Sequence, residues 1–239
     1  MKYILTILFV ASFVFSGKSQ LWFDAGVKGA FGPTMMLDKN VFDDGDYKHK
    51  LSTGHSFGGR LGVNFGYHAG ITAEYDGSTG KQDFDLNGDL YNTFKWKHSD
   101  ILLLFRWSGN GAYVELGGEY SNMGDVTLTK HRGGQETEED VSDKFENNYK
   151  SGVFGFGSYL LGNDLFTLNL GIRLHFAIDD MVNETGKELL YPFVDHQAAY
   201  DPTRKTLATA AQLQAEFNYA WGRFSKTACH DRWRLILFQ

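Results

Sequence analysis

The sequence predicts an all-β protein: a closed, antiparallel, up-and-down transmembrane β-barrel of about eight strands. Three observations carry this. Apolar and polar residues alternate with a period of two. Leu168, Leu170, Ile172, Leu174, Phe176 and Ile178 share one face of a strand, and Asn169, Arg173, His175 and Asp179 share the other. Successive side chains of a strand point to opposite faces, so the two sets separate cleanly. A secretory leader precedes the pattern, and the connections alternate between tight turns and long polar loops. A greasy face backed by a charged one suits a barrel in lipid, where every backbone group must pair within the protein.

Residues 1–20 read as a signal peptide. Lys2 supplies the positive end. Ile4 to Phe15 is apolar, long enough for a signal core and too short to span a bilayer as a helix. Ser16, Gly17 and Ser19 lead to a cleavage point near Gln20, and with no cysteine there a lipid-anchored protein is not expected. The remainder divides into a barrel, 21–224, and a periplasmic tail, 225–239. The composition of 28 glycines, 3 prolines and 15% aromatics suits a barrel. A net charge of −6 argues against a nucleic-acid partner, and the single cysteine, Cys229, excludes an internal disulfide.

The strands follow in order. Phe23 to Phe31 sets Phe23, Ala25, Val27 and Phe31 against Asp24 and Lys28. Phe57 to Tyr67 sets Phe57, Leu61, Val63, Phe65 and Tyr67 against Arg60, Asn64 and three glycines. Ala69 to Tyr75 opposes Ile71, Ala73 and Tyr75 to Thr72, Glu74 and Asp76. Asp100 to Trp107 groups Ile101, Leu103, Phe105 and Trp107, but its polar face also carries Leu102 and Leu104. Ala112 to Tyr120 opposes Val114, Leu116 and Tyr120 to Glu115 and Glu119. Gly152 to Leu161 is small or apolar on both faces; Phe166 to Ile178 is the strand quoted above. Leu207 to Trp221 opposes Leu213, Phe217, Tyr219 and Trp221 to Gln212, Gln214, Glu216 and Asn218. No segment sustains a helical period.

Tight turns fall at His68, at Ser108-Gly109-Asn110-Gly111 and at Gly162-Asn163-Asp164. Long polar connections fall near 38–55, 77–95, 122–150 and 180–205 and read as four mobile outer loops. This asymmetry places the turns in the periplasm and the loops outside the cell. Trp22, Tyr67, Trp107, Tyr219 and Trp221 form an aromatic girdle at the turn end, and Tyr75, Phe94, Trp96 and Tyr120 mark the loop end. Alternation alone leaves open a lipocalin-like soluble barrel of the opposite sense. The charged, glycine-rich polar face, the terminal aromatics and the alternating loops favour the membrane.

The chain resembles the outer-membrane β-barrel (porin-like) domain family of the Bacteroidota, small eight-stranded type. The resemblance rests on Ser19-Gln20 at the leader's end and on the opening Phe23-Asp24-Ala25-Gly26-Val27-Lys28-Gly29. It rests also on Ile101 to Arg106 followed by Tyr113-Val114-Glu115-Leu116-Gly117-Gly118-Glu119-Tyr120. It covers nearly the whole mature chain and implies an outer-membrane location and a fold, with no catalytic residues. Some similar barrels belong to a secretion apparatus. One departure is that an aromatic strand end usually closes such barrels, whereas here Ser225 to Gln239 follow Phe224. Arg232 to Phe238 reads as a membrane-touching tail rather than a ninth strand.

The predicted lumen holds Asp24, Lys28, Arg60, Glu74, Asp100, Arg106, Glu115, Glu119, Arg173, His175, Asp179 and Glu216. Side chains nearly fill an eight-stranded barrel, so these charges form a polar plug; an ion path or active site is the rival. His175 and Asp179 lie too far apart along one strand for direct contact, and no serine is placed beside them, so no enzyme is expected. Asp83, Asp85, Asn87 and Asp89 match the opening of a calcium loop, but Phe94 stands where its bidentate glutamate would, and an acidic hairpin tip is the plainer reading. His49, His55, His131 and His196 show no metal spacing, and no cofactor is expected. The sequence thus predicts a structural or interaction protein of the cell outer membrane. It would contact lipid and present loops or dock an envelope complex, with a small-solute channel and a lipid-modifying enzyme as alternatives.

Overall fold

The computed structural model describes residues 21–66, 68–163, 165–196, 200–221 and 234–235. Residues 1–20, expected as a leader, lie outside them, as do Tyr67 and most of 225–239, expected as a tail. Eight long strands close into a ring. They are β1 (Leu21–Asp38), β3 (Ser52–Phe65), β4 (Ala69–Leu86), β5 (Asp89–Gly109), β6 (Ala112–Arg132), β8 (Asn148–Gly162), β9 (Phe166–Ala177) and β10 (Thr206–Trp221). Every neighbour is antiparallel, and β10 returns to β1 from Phe23↔Trp221 to Asp38↔Thr206, so the sheet has no free edge around the ring. Closure is the physical point: an open edge of N–H and C=O groups is intolerable in hydrocarbon. A two-residue strand, β11 (Arg234–Leu235), pairs with Leu161 and Gly162 at the turn end of β8.

Six of the ring strands contain their sequence-predicted counterparts, and several run well past them; β3 ends at Phe65 and β9 at Ala177, short of the expected Tyr67 and Ile178. The spans 77–95 and 122–150, expected as mobile loops, are largely strand. β4 and β5 continue to a hairpin at Asn87-Gly88, and β6 continues into a hairpin with β7 (Gln135–Asp140) at Gly133-Gly134. All four turn residues have positive φ, as does Asn110-Gly111 at the opposite end, the geometry of a two-residue hairpin turn.

The extensions were hidden because the alternation inverts along the strands that run past their predicted ends, most plainly β5. On β5, from the turn end, Trp107, Phe105, Leu103 and Ile101 point outward, then Ser99, Lys97 and Lys95. Inward come Arg106, Leu104, Leu102, Asp100 and His98, then Trp96 and Phe94, which are fully or nearly buried. The lower barrel is therefore inside-out and the upper part is packed like a water-soluble protein. On β6 an irregularity opposite Trp96 and His98 shifts the parity, so that Val126 and Leu128 turn inward where an unshifted strand would turn them out.

Above the ring, the four long connections pack into one cap. Short helices α1 (Lys39–Asp43) and α2 (Glu184–Glu188), β2 (Tyr47–Lys50) on β4, and the β6–β7 hairpin surround a common apolar core. Tyr47, Phe84, Phe94, Phe145 and Phe193 are at most 3% exposed in it. Tyr47 stacks on Phe84 at 5.0 Å and donates its hydroxyl to Pro192 O at 2.9 Å, and Asn92 Nδ2 donates to Tyr47 Oη and to Val194 O. Burying each large aromatic contributes about 1.5–3 kcal/mol. The loops expected to be mobile thus share a core that none of them could build alone. Phe94 and Trp96, expected in an outer girdle, face inward into this region instead.

The cap carries a pH-sensitive contact. His49 Nε2 bonds Met36 O at 2.8 Å, and its ring lies 4.6 Å from Phe42 and 5.3 Å from Phe84. Burial pushes its pKa below the ordinary 6.5, although the Met36 carbonyl and Asp38 act in the opposite direction. A proton therefore binds the unfolded segment more readily than the folded cap. The stability contribution is complete above pH 6.5 and declines as pH falls through that value toward the lower folded one. Between about pH 7.5 and about pH 5.5, amide exchange at residues 47–50, corrected for intrinsic rate, is expected to accelerate. His49→Gln is expected to flatten the response; protection that stays constant in the native chain contradicts this.

Candidate functional site

The lumen is the concentration of chemistry in this molecule. Even-numbered residues of β1, β3, β4, β5 and β10 and odd-numbered residues of β6, β8 and β9 point inward in the lower barrel. The sequence-predicted charges meet there. Glu216 Oε2 accepts from Arg60 Nη1 at 3.0 Å and from Arg106 Nη2 at 2.8 Å. Arg106 Nε donates to Glu115 Oε1 at 2.8 Å. Arg173 donates to Glu74 at 2.7 Å and to Glu115 at 2.8 Å. Lys28 bridges Glu74 and Asp76, and Arg60 lies 3.2 Å from Asp24. The ionic side chains of this network are at most 8% exposed. Charges this deep are tolerable only when paired, and bidentate guanidinium–carboxylate geometry supplies the pairing.

Neutral groups fill the remaining space. Leu102 and Leu104 pack with Val153, which explains why the inner face of β5 alternates poorly. Tyr113 lies under Arg106, whose guanidinium carbon is 4.3 Å from the ring centroid, and accepts from Gln214 Nε2 at 3.2 Å. A Cβ at Gly157 or Gly171 would come within 2.5 Å of the Tyr113 hydroxyl, so both positions require glycine for close approach rather than for backbone freedom.

Nearer the cap, His175 Nδ1 bonds Glu119 Oε2, and Glu119 also accepts from Ser121 Oγ at 2.8 Å. His98 Nδ1 lies 2.6 Å from Asp100 Oδ1, and Ser78 Oγ donates to the other Asp100 oxygen. The pairing of His175 with Glu119 crosses an intervening strand, so spacing along the chain gave no hint of it. Asp76, His98, Tyr113, Asn169 and Gln214 also belong to the lumen and were not among the predicted site residues; their inward parity was the available signal.

Three expectations are corrected. Asp179 falls beyond the end of β9 and accepts from the Lys150 backbone N–H at 3.2 Å on the surface, so it is not a lumen residue. Asp83, Asp85, Asn87 and Asp89 do not converge on a cation. Thr93 and Lys81 bond Asp83, Lys50 is near Asp85, and Asn87 forms the turn. The loop-end girdle keeps Tyr75 and Tyr120 and loses Phe94 and Trp96. At the turn end Trp107, Tyr219 and Trp221 are exposed, and Trp22 donates Nε1 to Gly66 O at 2.7 Å; Tyr67 lies outside the described residues.

Outside the ring, Leu61, Leu103, Leu116, Phe57 and Leu213 are 59–67% exposed and belong to a continuous apolar belt. Belts of this extent do not occur on water-soluble monomers. With ions inside and leucines outside, the sense of the barrel is decided. The chain is an eight-stranded transmembrane β-barrel.

No protein-family model matches this barrel, and no curated protein matches it. Solved structures similar to it include Neisserial surface protein A, at 12% identity and TM-score 0.43, covering 82% of this chain and 96% of that one. The outer membrane protein OprG from Pseudomonas aeruginosa matches at 12% identity and TM-score 0.40, covering 84% and 95%. Ail, the attachment invasion locus protein of Yersinia pestis, matches at 9% identity and TM-score 0.38, covering 83% and 98%. Likeness this distant transfers no activity or partner, and the architecture stated above rests on the strand registers.

Proposed function

We propose that this barrel resides in the outer membrane, with its tight turns in the periplasm and its cap outside the cell, and that it works as a structural or interaction protein. The observation that carries the reading is double closure of the lumen. An ion-paired plug fills the lower barrel, and an apolar core roofs it. A conduit has no use for either seal, and together they leave the rigid cap as the surface on which the molecule can act. Its partner is then an envelope protein or complex, secretion machinery among them, that meets the outer surface. The enzyme alternative loses its best residue, because His175 is turned into the lumen against Glu119 and away from lipid. Reconstitution into planar bilayers tests the sealed lumen. Insertion without steady single-channel openings is expected; steady openings from the folded chain would return the channel to first place.

A further inference from the structure

Between the plug and the cap lies a chamber of about 40 Å³, room for an ion with a water or two. Lys28 and Arg173 line its floor, Trp96 and Ala208 belong to its roof, and His98, Asp100, Glu119 and His175 stand in its wall. We propose that His98, Asp100, Glu119 and His175 form a binding site for a divalent transition-metal ion of the zinc class.

Three observations converge on this. The first is ligand geometry. A ring nitrogen of His98 and carboxylate oxygens of Asp100 and Glu119 lie within 4.8 Å of one another, and His175 Nδ1 bonds Glu119 directly. Zinc bonds of about 2.0–2.1 Å in a tetrahedron set ligand atoms about 3.3–3.5 Å apart. His98, Asp100 and Glu119 already converge; closing to that spacing and bringing in His175 takes side-chain rotation, with the ion replacing the hydrogen bonds between imidazole and carboxylate. The second is charge. Among the described residues buried in the barrel below the cap, four cations face seven carboxylates. Lys28, Arg60, Arg106 and Arg173 are already committed to Asp24, Glu74, Asp76, Glu115 and Glu216. Asp100 and Glu119 are left with histidines alone as cationic partners, and a buried anionic surplus calls for a cation. The third is an unmet acceptor. Asp76 is 3% exposed and lines the same chamber; its Oδ2 is held by Lys28, and its Oδ1 has no hydrogen-bond partner. Lys28 and Arg173 oppose a cation, but their charge is spent on Glu74, Asp76 and Glu115.

The ligand set selects the metal. Two imidazoles with two carboxylates suit zinc and its neighbours, whereas calcium and magnesium prefer oxygen alone. The role that follows is structural: four ligands on β5, β6 and β9 would be fixed together where the inside-out barrel gives way to the soluble-type cap.

The test is refolding of the full chain into detergent with excess zinc, calcium or magnesium, then desalting and elemental analysis, with folding judged by the heat-dependent shift of the band on a gel. Cys229→Ser in every sample removes the single thiol. One zinc per folded barrel and no retained calcium or magnesium are expected, with His98→Asn and His175→Gln lowering retained zinc at least about tenfold in folded protein. Folded parent protein that retains no zinc overturns the site, as does equal retention by the variants, which would mean adventitious binding at the loop histidines. If a variant does not fold, X-ray absorption on the zinc-loaded parent decides. Imidazole scattering with N/O ligands at about 2.0–2.1 Å supports the proposal, and an oxygen-only shell refutes it.

Discussion

Replacing Glu216 by alanine is expected to destabilise the barrel by about 3–5 kcal/mol, the cost of leaving a buried charge without its partner. Glu216 is 0% exposed and receives both Arg60 and Arg106, while Arg173 lies 3.6 Å from its other oxygen. Removal strands positive charge where water has little room, because Arg60, Arg106 and Arg173 are themselves buried and the Tyr113 ring covers Arg106. Glu216→Gln keeps the shape and one acceptor and is expected to lose less. Urea unfolding midpoints in one lipid, followed by tryptophan fluorescence, measure both. A loss below about 1 kcal/mol for the alanine variant would mean that water hydrates the arginines. The lumen would then be wet, and the sealed-plug reading would fail.

The second large effect concerns the outside. Leu103→Arg is expected to cost about 2–4 kcal/mol when the barrel folds into lipid, and Ser99→Arg, four residues toward the cap on the same strand, about 0–1 kcal/mol. Leu103 is 62% exposed in the middle of the apolar belt, whereas Ser99 adjoins Lys97, which lies 3.6 Å from Asp125 on the water-facing surface. Neither substitution disturbs the lumen, since both side chains point outward. A contrast between them therefore reports the hydrocarbon boundary. Equal small costs at both positions would mean that the belt faces water or a protein partner.

How much of this was legible in the sequence follows from where period-two alternation holds. Leu168 to Ile178 declared itself as a strand because one solvent, hydrocarbon, selects its outer face throughout. Inward residues such as Arg60, Glu74, Arg106, Glu115, Arg173 and Glu216 were assigned to the lumen for the same reason. Alternation fixes which face a residue occupies but not which residue it meets, so the Arg60–Glu216 and His175–Glu119 pairs, between strands distant in sequence, had no local signature. Asp179 continues the parity of β9 two residues past the strand's end, so alternation alone puts it in the lumen. Phe94 and Trp96 looked like girdle residues because aromatics at strand ends usually meet the interface; above Ser99 the environment changes from lipid to water, and the same strand turns its apolar face inward. The cap core was illegible for a stronger reason. Phe193, Phe84, Phe94 and Tyr47 come from three separate connections, each polar on average, and their burial exists only once the ring has brought those connections together.

Everything above depends on Leu103 and its neighbours meeting hydrocarbon while the ionic side chains stay enclosed. Site-directed spin labelling addresses it most directly, with Cys229→Ser removing the native thiol and a nitroxide placed at Leu103→Cys in the reconstituted barrel. Relaxation by oxygen, which concentrates in the bilayer interior, and protection from a water-soluble nickel chelate are expected. Ready collisions with the nickel reagent and little enhancement by oxygen would contradict it.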